Sequence, residues 1–400
     1  MRQLLGPVPR GWRAQCRRCG KLLARPDPAR AGASLALFCA ALLLWLPACV
    51  EPLMTVSTNG AMRQSELASG IGALWSAGFR SLALVVATFS IAVPSLYLAL
   101  VIAVLAGLGF GRKRRNGAGS LGRLYRWSLA LRSWAMIEVY LLGACVAYSR
   151  IQKVALVSVG TAGWCLIGAS LCWLLADAVL DDRAVWQGVP IGRPVAPRRP
   201  AAPHASAACH VCDLAMPQSA PGERCPRCRA RLRVRKPHSI QRTWALVLCG
   251  FLLFIPANLL PVLQIEQLGQ VQSNTILGGV LELARYGLWP LAVIVFAASI
   301  AIPLVKLCGL SWNLFLTHRR SARFLRLRTR AHRVIDWIGR WSNIDVFTVS
   351  ILVALVQFGQ LTRVRVQGGM IAFAMVVIVT MVAAKSFDSR LMWDAAGERK

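Results

Sequence analysis

The feature that most limits how this chain can fold is that it is written twice: the second half repeats the first about 209 residues on, and each copy carries runs too apolar to face water. Cys225 and Cys228 lie 209 positions beyond Cys16 and Cys19, Pro256-Ala257 and Pro261 lie 209 beyond Pro47-Ala48 and Pro52, and Ser299 to Pro303 lies 209 beyond Ser90 to Pro94. After a two-residue slip the offset becomes 207, which links Trp134 to Trp341, Glu138 to Asp345, Asp181 to Asp388 and Arg183 to Arg390. A unit this long is a duplicated domain rather than one element of a solenoid.

The apolar runs decide the solvent. With 56% hydrophobic and only 16% charged residues, the chain holds more apolar surface than a water-soluble core can bury. About 20 apolar residues in a helix cross a bilayer core. On that measure the first copy has four spans, 34–50, 79–110, 137–156 and 161–180, and the second has 244–263, 288–316, 344–361 and 368–387. The expected fold is therefore all-α: a polytopic membrane protein of two tandem four-helix transmembrane modules with a small cytoplasmic zinc ribbon. The domains run 1–32 (a truncated ribbon remnant), 33–183 (module one), 184–208 (a basic, Pro/Ala-rich linker), 209–236 (zinc ribbon), 237–394 (module two) and 395–400 (tail).

Lys and Arg gather on the cytoplasmic side of membrane proteins. Arg112, Lys113, Arg114, Arg115, Arg123 and Arg126 follow the second span, and the run from Arg319 to Arg333 follows its copy. These segments are read as basic inner loops, which puts both termini and the linker in the cytoplasm. The loops 51–78 and 264–286 then face out, with 276–288 read as an interfacial helix on the outer face. Arg150, Lys153, Arg363 and Arg365 sit in short outer hairpins, against the charge rule. The net charge of +31 accompanies no nucleic-acid reading element, so attraction to anionic headgroups explains it and no nucleic acid is expected. Leu46-Pro47-Ala48-Cys49 imitates a lipoprotein cleavage box, but Pro256-Ala257-Asn258 stands at the same place in the second copy, and no cleavable signal is expected.

Seven of the thirteen cysteines fall in or at the ends of spans and read as packing residues. Four others have metal spacing: Cys209-x2-Cys212, then Cys225-x2-Cys228. Two such turns bring four thiolates to one ion, the set that structural zinc takes, and a reducing compartment disfavours disulfides. Cys16 and Cys19 alone form half a ribbon, so either the true start lies upstream or the first ribbon has decayed.

Ionisable groups inside spans are costly and usually have a partner or a role. Lys306 lies within the sixth span and Asp345 enters the next near the same face. Ser299 is two helical turns before Lys306, and Thr380 on the last span closes the group. The plainer alternative is that Lys306 snorkels and Asp345 caps its helix. The first copy has Tyr97 where the second has Lys306 and Glu138 where it has Asp345, so ion-coupled or headgroup chemistry belongs to the second copy. Pro94 and Pro303 are expected to bend their spans. No phosphate loop, HExxH or GxSxG occurs, and no enzyme activity is expected.

The segments Gly339-Arg340-Trp341-Ser342-Asn343-Ile344-Asp345-Val346-Phe347, Ser299 to Lys306, Pro256-Ala257-Asn258-Leu259-Leu260-Pro261 and Phe387 to Asp394 resemble the paraquat-inducible protein A family. The resemblance runs through both modules. It implies an inner-membrane protein of Gram-negative bacteria that loads or unloads phospholipid for a periplasmic MCE-domain tunnel partner. It also implies that Ser299, Lys306, Asp345 and Thr380 form the lipid or proton pathway and that the linker cysteines form the family's second ribbon. Two departures are the half ribbon and Ser389, where the family pattern commonly has proline. The competing readings are a membrane redox protein using cysteines with quinone and a non-transporting anchor for the partner.

Overall fold

The computed structural model describes residues 14–15, 22–24, 30–58, 61–110, 118–152, 156–192, 206–217, 224–233, 235–267, 270–321, 323–338, 347–348, 350–351 and 362–397. In chain order these begin with the strands β1 (Ala14–Gln15) and β2 (Leu22–Ala24) and the helix α1 (Arg30–Val50). A hairpin follows, β3 (Met54–Thr58) and β4 (Ala61–Ser65), then α2 (Ser69–Ser76), α3 (Arg80–Ala87), a π-helical turn at Thr88–Ala92 and α4 (Val93–Phe110). The first copy closes with α5 (Ala118–Arg132), α6 (Ile137–Ile151), β5 (Leu156–Val159), α7 (Thr161–Val179) and α8 (Asp182–Gly188).

The linker holds β6 (Ser206–Ala208) and β7 (Ala215–Pro217). The second copy then repeats the first: α9 (Ser239–Leu259), β8 (Leu263–Gln267), β9 (Gln270–Asn274), α10 (Ile276–Arg285), α11 (Trp289–Phe296), a π turn at Ala297–Ala301 and α12 (Ile302–His318). It ends with α13 (Leu325–Ile338), β10 (Thr362–Val366), α14 (Gly368–Ser386) and α15 (Arg390–Gly397).

Among the described residues, seven helical segments are long and apolar enough to cross a membrane: Gly32–Val50, Arg80–Gly109, Ser120–Ser149, Thr161–Val179, Ser239–Leu259, Trp289–His318 and Gly368–Ser386. The chain is a multi-pass α-helical membrane protein. The expected eighth span, 344–361, lies outside the described residues apart from 347–348 and 350–351. The third span differs from its expected limits, because α6 stops at Ile151 and Leu156 already opens a strand. On its other side, Arg123 and Arg126 belong to α5 rather than to a loop: Gly122, Tyr125 and Ser128 recur every three residues and are buried, which makes this run an amphipathic helix.

Long runs of Leu, Ala and Val specify the spans, and proline shapes two of them. Pro94 and Pro303 have no N–H to give the carbonyl four residues back. In both copies a π turn stands one turn earlier, at Thr88–Ala92 and Ala297–Ala301, and accommodates this mismatch. Ser90 Oγ donates to Val86 O at 2.7 Å and Ser299 Oγ to Val295 O at 2.6 Å, so each π turn carries a buried serine bonded back to its own helix.

The described chain divides into two compact units, 1–44 with 93–135 and 168–235, and 45–92 with 136–167 and 236–400. In the first unit α4 packs along α5, around a core that includes Phe38, Tyr97, Val101, Tyr125 and Trp173. In the second, α9 lies along α14 and both meet α12, burying Val247, Leu307, Leu310, Leu314, Ala383 and Phe387.

The second unit also holds two three-stranded antiparallel sheets, ordered β4-β3-β5 and β10-β8-β9. The expected outer loops are thus strands, because Leu-Gln-Ile-Glu-Gln and Thr-Arg-Val-Arg-Val alternate with the period of a pleated edge. This accounts for the misplaced arginines of the last hairpin: Arg363 stands opposite Glu266 in the register, and Arg365 opposite Gln264. The expected amphipathic helix at 276–288 is α10, capped by Thr275, whose Oγ1 accepts from Gly278 N at 3.1 Å.

Candidate functional site

Within the second unit, the polar group read from the sequence assembles on α12 and α14. Lys306 is 1% exposed and Thr380 is fully buried. Lys306 Nζ donates to Thr380 Oγ1 at 3.0 Å, and Thr380 donates its single hydroxyl proton to Val377 O at 3.0 Å. That division of roles aims the hydroxyl lone pairs at the ammonium. Gly250 on α9 leaves room for the approach, since a Cβ there would stand 2.7 Å from Leu307 Cδ2 and 3.7 Å from Thr380 Cγ2. The buried, inward side chain corrects the snorkelling alternative, in which the ammonium would reach the headgroups.

Ser299 is buried in its π turn, and Glu138 is half-buried in the first turn of α6, where a carboxylate is favoured by the helix dipole. Asp345 lies outside the described residues. Taking a lysine ammonium into a span centre costs about 3 kcal/mol on insertion scales. The Thr380 hydroxyl offsets part of that cost.

A second inward-facing cation was not expected. Arg328 was read as part of a basic loop, yet its side chain is fully buried in the second unit. Its guanidinium donates to Asn313 Oδ1 (3.3 Å), Asn313 O (3.0 Å), Thr317 Oγ1 (2.9 Å) and Ser321 O (3.2 Å). It therefore ties α13 to the C-terminal part of α12, where a cation meets the negative end of the helix dipole.

The corresponding depth of the first copy, in the first unit, is filled differently. Tyr97, at the Lys306 position, stacks on Trp173 with ring centroids 4.8 Å apart and 15° between planes. Trp173 stands 207 residues before Thr380, so the lysine–threonine pair of one copy is an aromatic pair in the other. Tyr97 Oη donates to Asp177 Oδ1 at 2.9 Å, and Arg132 pairs with Asp177 at 3.2 Å and with Asp182 at 3.4 Å. Tyr125 Oη donates to Asp182 Oδ1 at 2.6 Å. This network was missed in the sequence, although Asp177 near the end of an apolar run was a visible signal.

The four linker cysteines converge within the first unit, with all sulfurs within 4.8 Å of one another and all four side chains buried. Cys209 Sγ lies 3.5 Å from Cys228 Sγ, and Cys212 Sγ lies 3.6 Å from Cys225 Sγ. Tetrahedral thiolates about 2.3 Å from a zinc ion stand about 3.8 Å apart, close to these edges.

The two knuckles share one backbone form. Cys209 N donates to Leu214 O and Cys225 N to Ala230 O, while Asp213 and Arg229, each following the second cysteine of its pair, take the left-handed conformation (φ 53° and 55°). Hydrogen bonding among the thiols pulls Cys209 and Cys225 down and pushes Cys212 and Cys228 up. Without a cation only part of the set can ionise, so the donor set fits a metal ion. Cys16 and Cys19 lie outside the described residues.

The ribbon also touches helix α5. A Cβ on Gly122 would stand 2.0 Å from Arg227 O, so only glycine allows the second knuckle this approach.

Comparisons with known proteins agree with this picture. The sequence model of the family described as Paraquat-inducible protein A matches residues 32–189 and again 240–397, once per copy. The chain is 30% identical over 394 residues to a protein of Escherichia coli (strain K12) named "Intermembrane transport protein PqiA", covering 97% of this chain and 92% of the relative. It is 33% identical over 265 residues to another protein of that strain, "Lipophilic envelope-spanning tunnel protein A", covering 66% of this chain and 61% of the relative. A Haemophilus influenzae protein named "Probable intermembrane transport protein" is 26% identical over 388 residues, 95% of this chain and 90% of its own length. No solved structure matches the chain.

Proposed function

Because the chain belongs to the paraquat-inducible protein A family, we propose that it is an inner-membrane component of intermembrane lipid transport, loading or unloading phospholipid for an MCE-domain tunnel partner in the periplasm. The observation that carries this reading is the Lys306–Thr380 pair, a buried cation with a hydroxyl ligand deep in a span of one copy only. A phosphate headgroup is a natural visitor to such a site, because an ammonium and a hydroxyl both bind phosphate oxygens. In this reading Asp345 faces Lys306 in the resting state, and the exchange of that carboxylate for a headgroup, or for a proton, couples the site to transport. Ser299 and Glu138 border the pathway.

The bound metal is zinc, held by Cys209, Cys212, Cys225 and Cys228 as a closed structural site. Four thiolates leave no open coordination position, which disfavours the redox alternative. Its role is to fix the ribbon against α5. The basic segments, the ribbon and both termini face the cytoplasm.

The test is transfer of a fluorescent phospholipid between two vesicle populations, measured with the purified chain in one of them and the partner present. Lys306→Ala and Asp345→Asn should each stop transfer while membrane abundance and metal content stay unchanged. Normal transfer by both variants would remove Lys306 and Asp345 from the pathway.

A further inference from the structure

At the end of α12 away from Ser299, the second unit holds an open groove of about 940 Å³ that the sequence did not announce. It lies between the first turn of α9, the last turn of α12 and the start of α15. One wall is apolar, made by Ile240, Trp244, Phe315 and Leu391; the rim carries Lys236, His238 and His318. Among the described residues that line it, none is acidic.

The rim gathers three basic side chains beside one carboxylate, Asp388, whose Oδ2 accepts from Lys236 N at 3.4 Å. Lys236 Nζ donates to Lys385 O and, at 3.3 Å, to Phe387 O, so its ammonium is pinned on the last carbonyls of α14. His238 occupies the N-cap of α9 in the left-handed conformation (φ 50°), and its side chain accepts no bond from the helix. The Ser239 hydroxyl is committed elsewhere, donating to Ser386 O at 2.8 Å and accepting from Asp388 N at 2.9 Å. The opening N–H groups of α9, which have no intrahelical acceptor, therefore meet no side-chain cap, and they line the same groove through His238, Ser239 and Gln241. Helix N-terminus, pinned ammonium and two imidazoles converge on one place.

We propose that this groove binds an anionic phospholipid, its phosphate at the first turn of α9 between Lys236, His238 and His318 and its acyl chain along Trp244 and Phe315. A free inorganic anion would use the rim and leave the wall empty; an amphiphile uses both. Lys306 lies twelve residues back along α12 from His318, about 18 Å at helical rise, so the groove is separate from the buried pair. The proposal deepens the lipid-transport reading by supplying a place for lipid to wait, but its test measures binding alone and can fail or succeed whatever transfer assays show.

The experiment is native mass spectrometry of the full chain in detergent, titrated with phosphatidylglycerol or with phosphatidylcholine. Gln241→Glu combined with His318→Glu should weaken phosphatidylglycerol binding about tenfold, with phosphatidylcholine unchanged and the exposed control Arg326→Glu within about twofold of the parent. Phe315→Ala, which alters no charge, should weaken phosphatidylglycerol severalfold and provides an independent arm if the double variant does not fold. Unchanged phosphatidylglycerol affinity in Phe315→Ala or in a folded double variant would overturn the proposal, as would an equal loss in Arg326→Glu. Full displacement of the lipid by millimolar inorganic phosphate would also overturn it, because the site would then be one for a free anion.

Discussion

At matching positions of two copies of one helix stand Tyr97 and Lys306, and at matching positions of the helices beside them stand Trp173 and Thr380. In the first copy the two side chains stack and the phenol is tied to Asp177, itself paired with Arg132. Arg132, Asp177 and Asp182 each have an opposite charge within 3.4 Å. In the second copy the Lys306 ammonium donates to the Thr380 hydroxyl. The π turn and its serine, the following proline and the hairpin before them are common to both copies, so duplication has kept the frame and changed what it holds. An ion-pair network tied to a stacked aromatic pair favours rigidity. In the reading proposed above, the first site is scaffold and the second carries traffic.

The harshest way to probe this is to break the four-cysteine cluster proposed to hold zinc. Structural zinc contributes about 10 kcal/mol or more of folding free energy in isolated finger peptides, and here the ribbon presses on α5 at Gly122. Cys225→Ser should empty the site by elemental analysis and speed amide exchange across 118–132, while 302–318 around Lys306 stays protected. Equal loosening of both segments would erase the distinction between scaffold and site.

Arg132→Met comes next. It strands Asp177 and Asp182, and because the three side chains keep 29%, 18% and 45% exposure, the loss should be on the order of 2 kcal/mol, below the figure for fully buried pairs. Thermal unfolding in detergent would show it, and Lys306→Met should show none of it.

The smallest expected effect concerns His332, which stands 207 residues beyond Tyr125. Burial holds its imidazole below the usual 6.5, against the pull of Asp336 and helped by Lys236. The unfolded chain then takes up the proton at higher pH than the folded one. His332 therefore contributes stability that is complete above pH 6.5 and is lost as pH falls below it. His332→Phe should flatten the acid limb of unfolding temperature against pH between 6.5 and 5, and Tyr125→Phe should leave its slope alone.

Much of this asymmetry was legible before any coordinates. The 209-residue offset exposed the Tyr97-for-Lys306 exchange, and the CxxC pairs announced the thiol cluster because ligand geometry is written in local spacing. What stayed hidden depends on distant partners. A tyrosine inside an apolar run reads as filler until Trp173, 76 positions away, is found stacked on it. Arg328 read as a solvated loop charge because nothing local reveals that Asn313 and Thr317 wait at the end of α12. The strands β8 and β10 were missed because five-residue alternations rich in Gln and Arg look like loop, and pairing makes them a sheet.

The central claim is that one copy's polar pair carries traffic and the other's aromatic pair does not. The most direct measurement compares Lys306→Met with Tyr97→Phe, each restored to a deletion strain at equal membrane abundance and scored for envelope-dependent growth. The account predicts growth lost with Lys306→Met and kept with Tyr97→Phe. Growth restored by Lys306→Met, or lost equally with both, would contradict it.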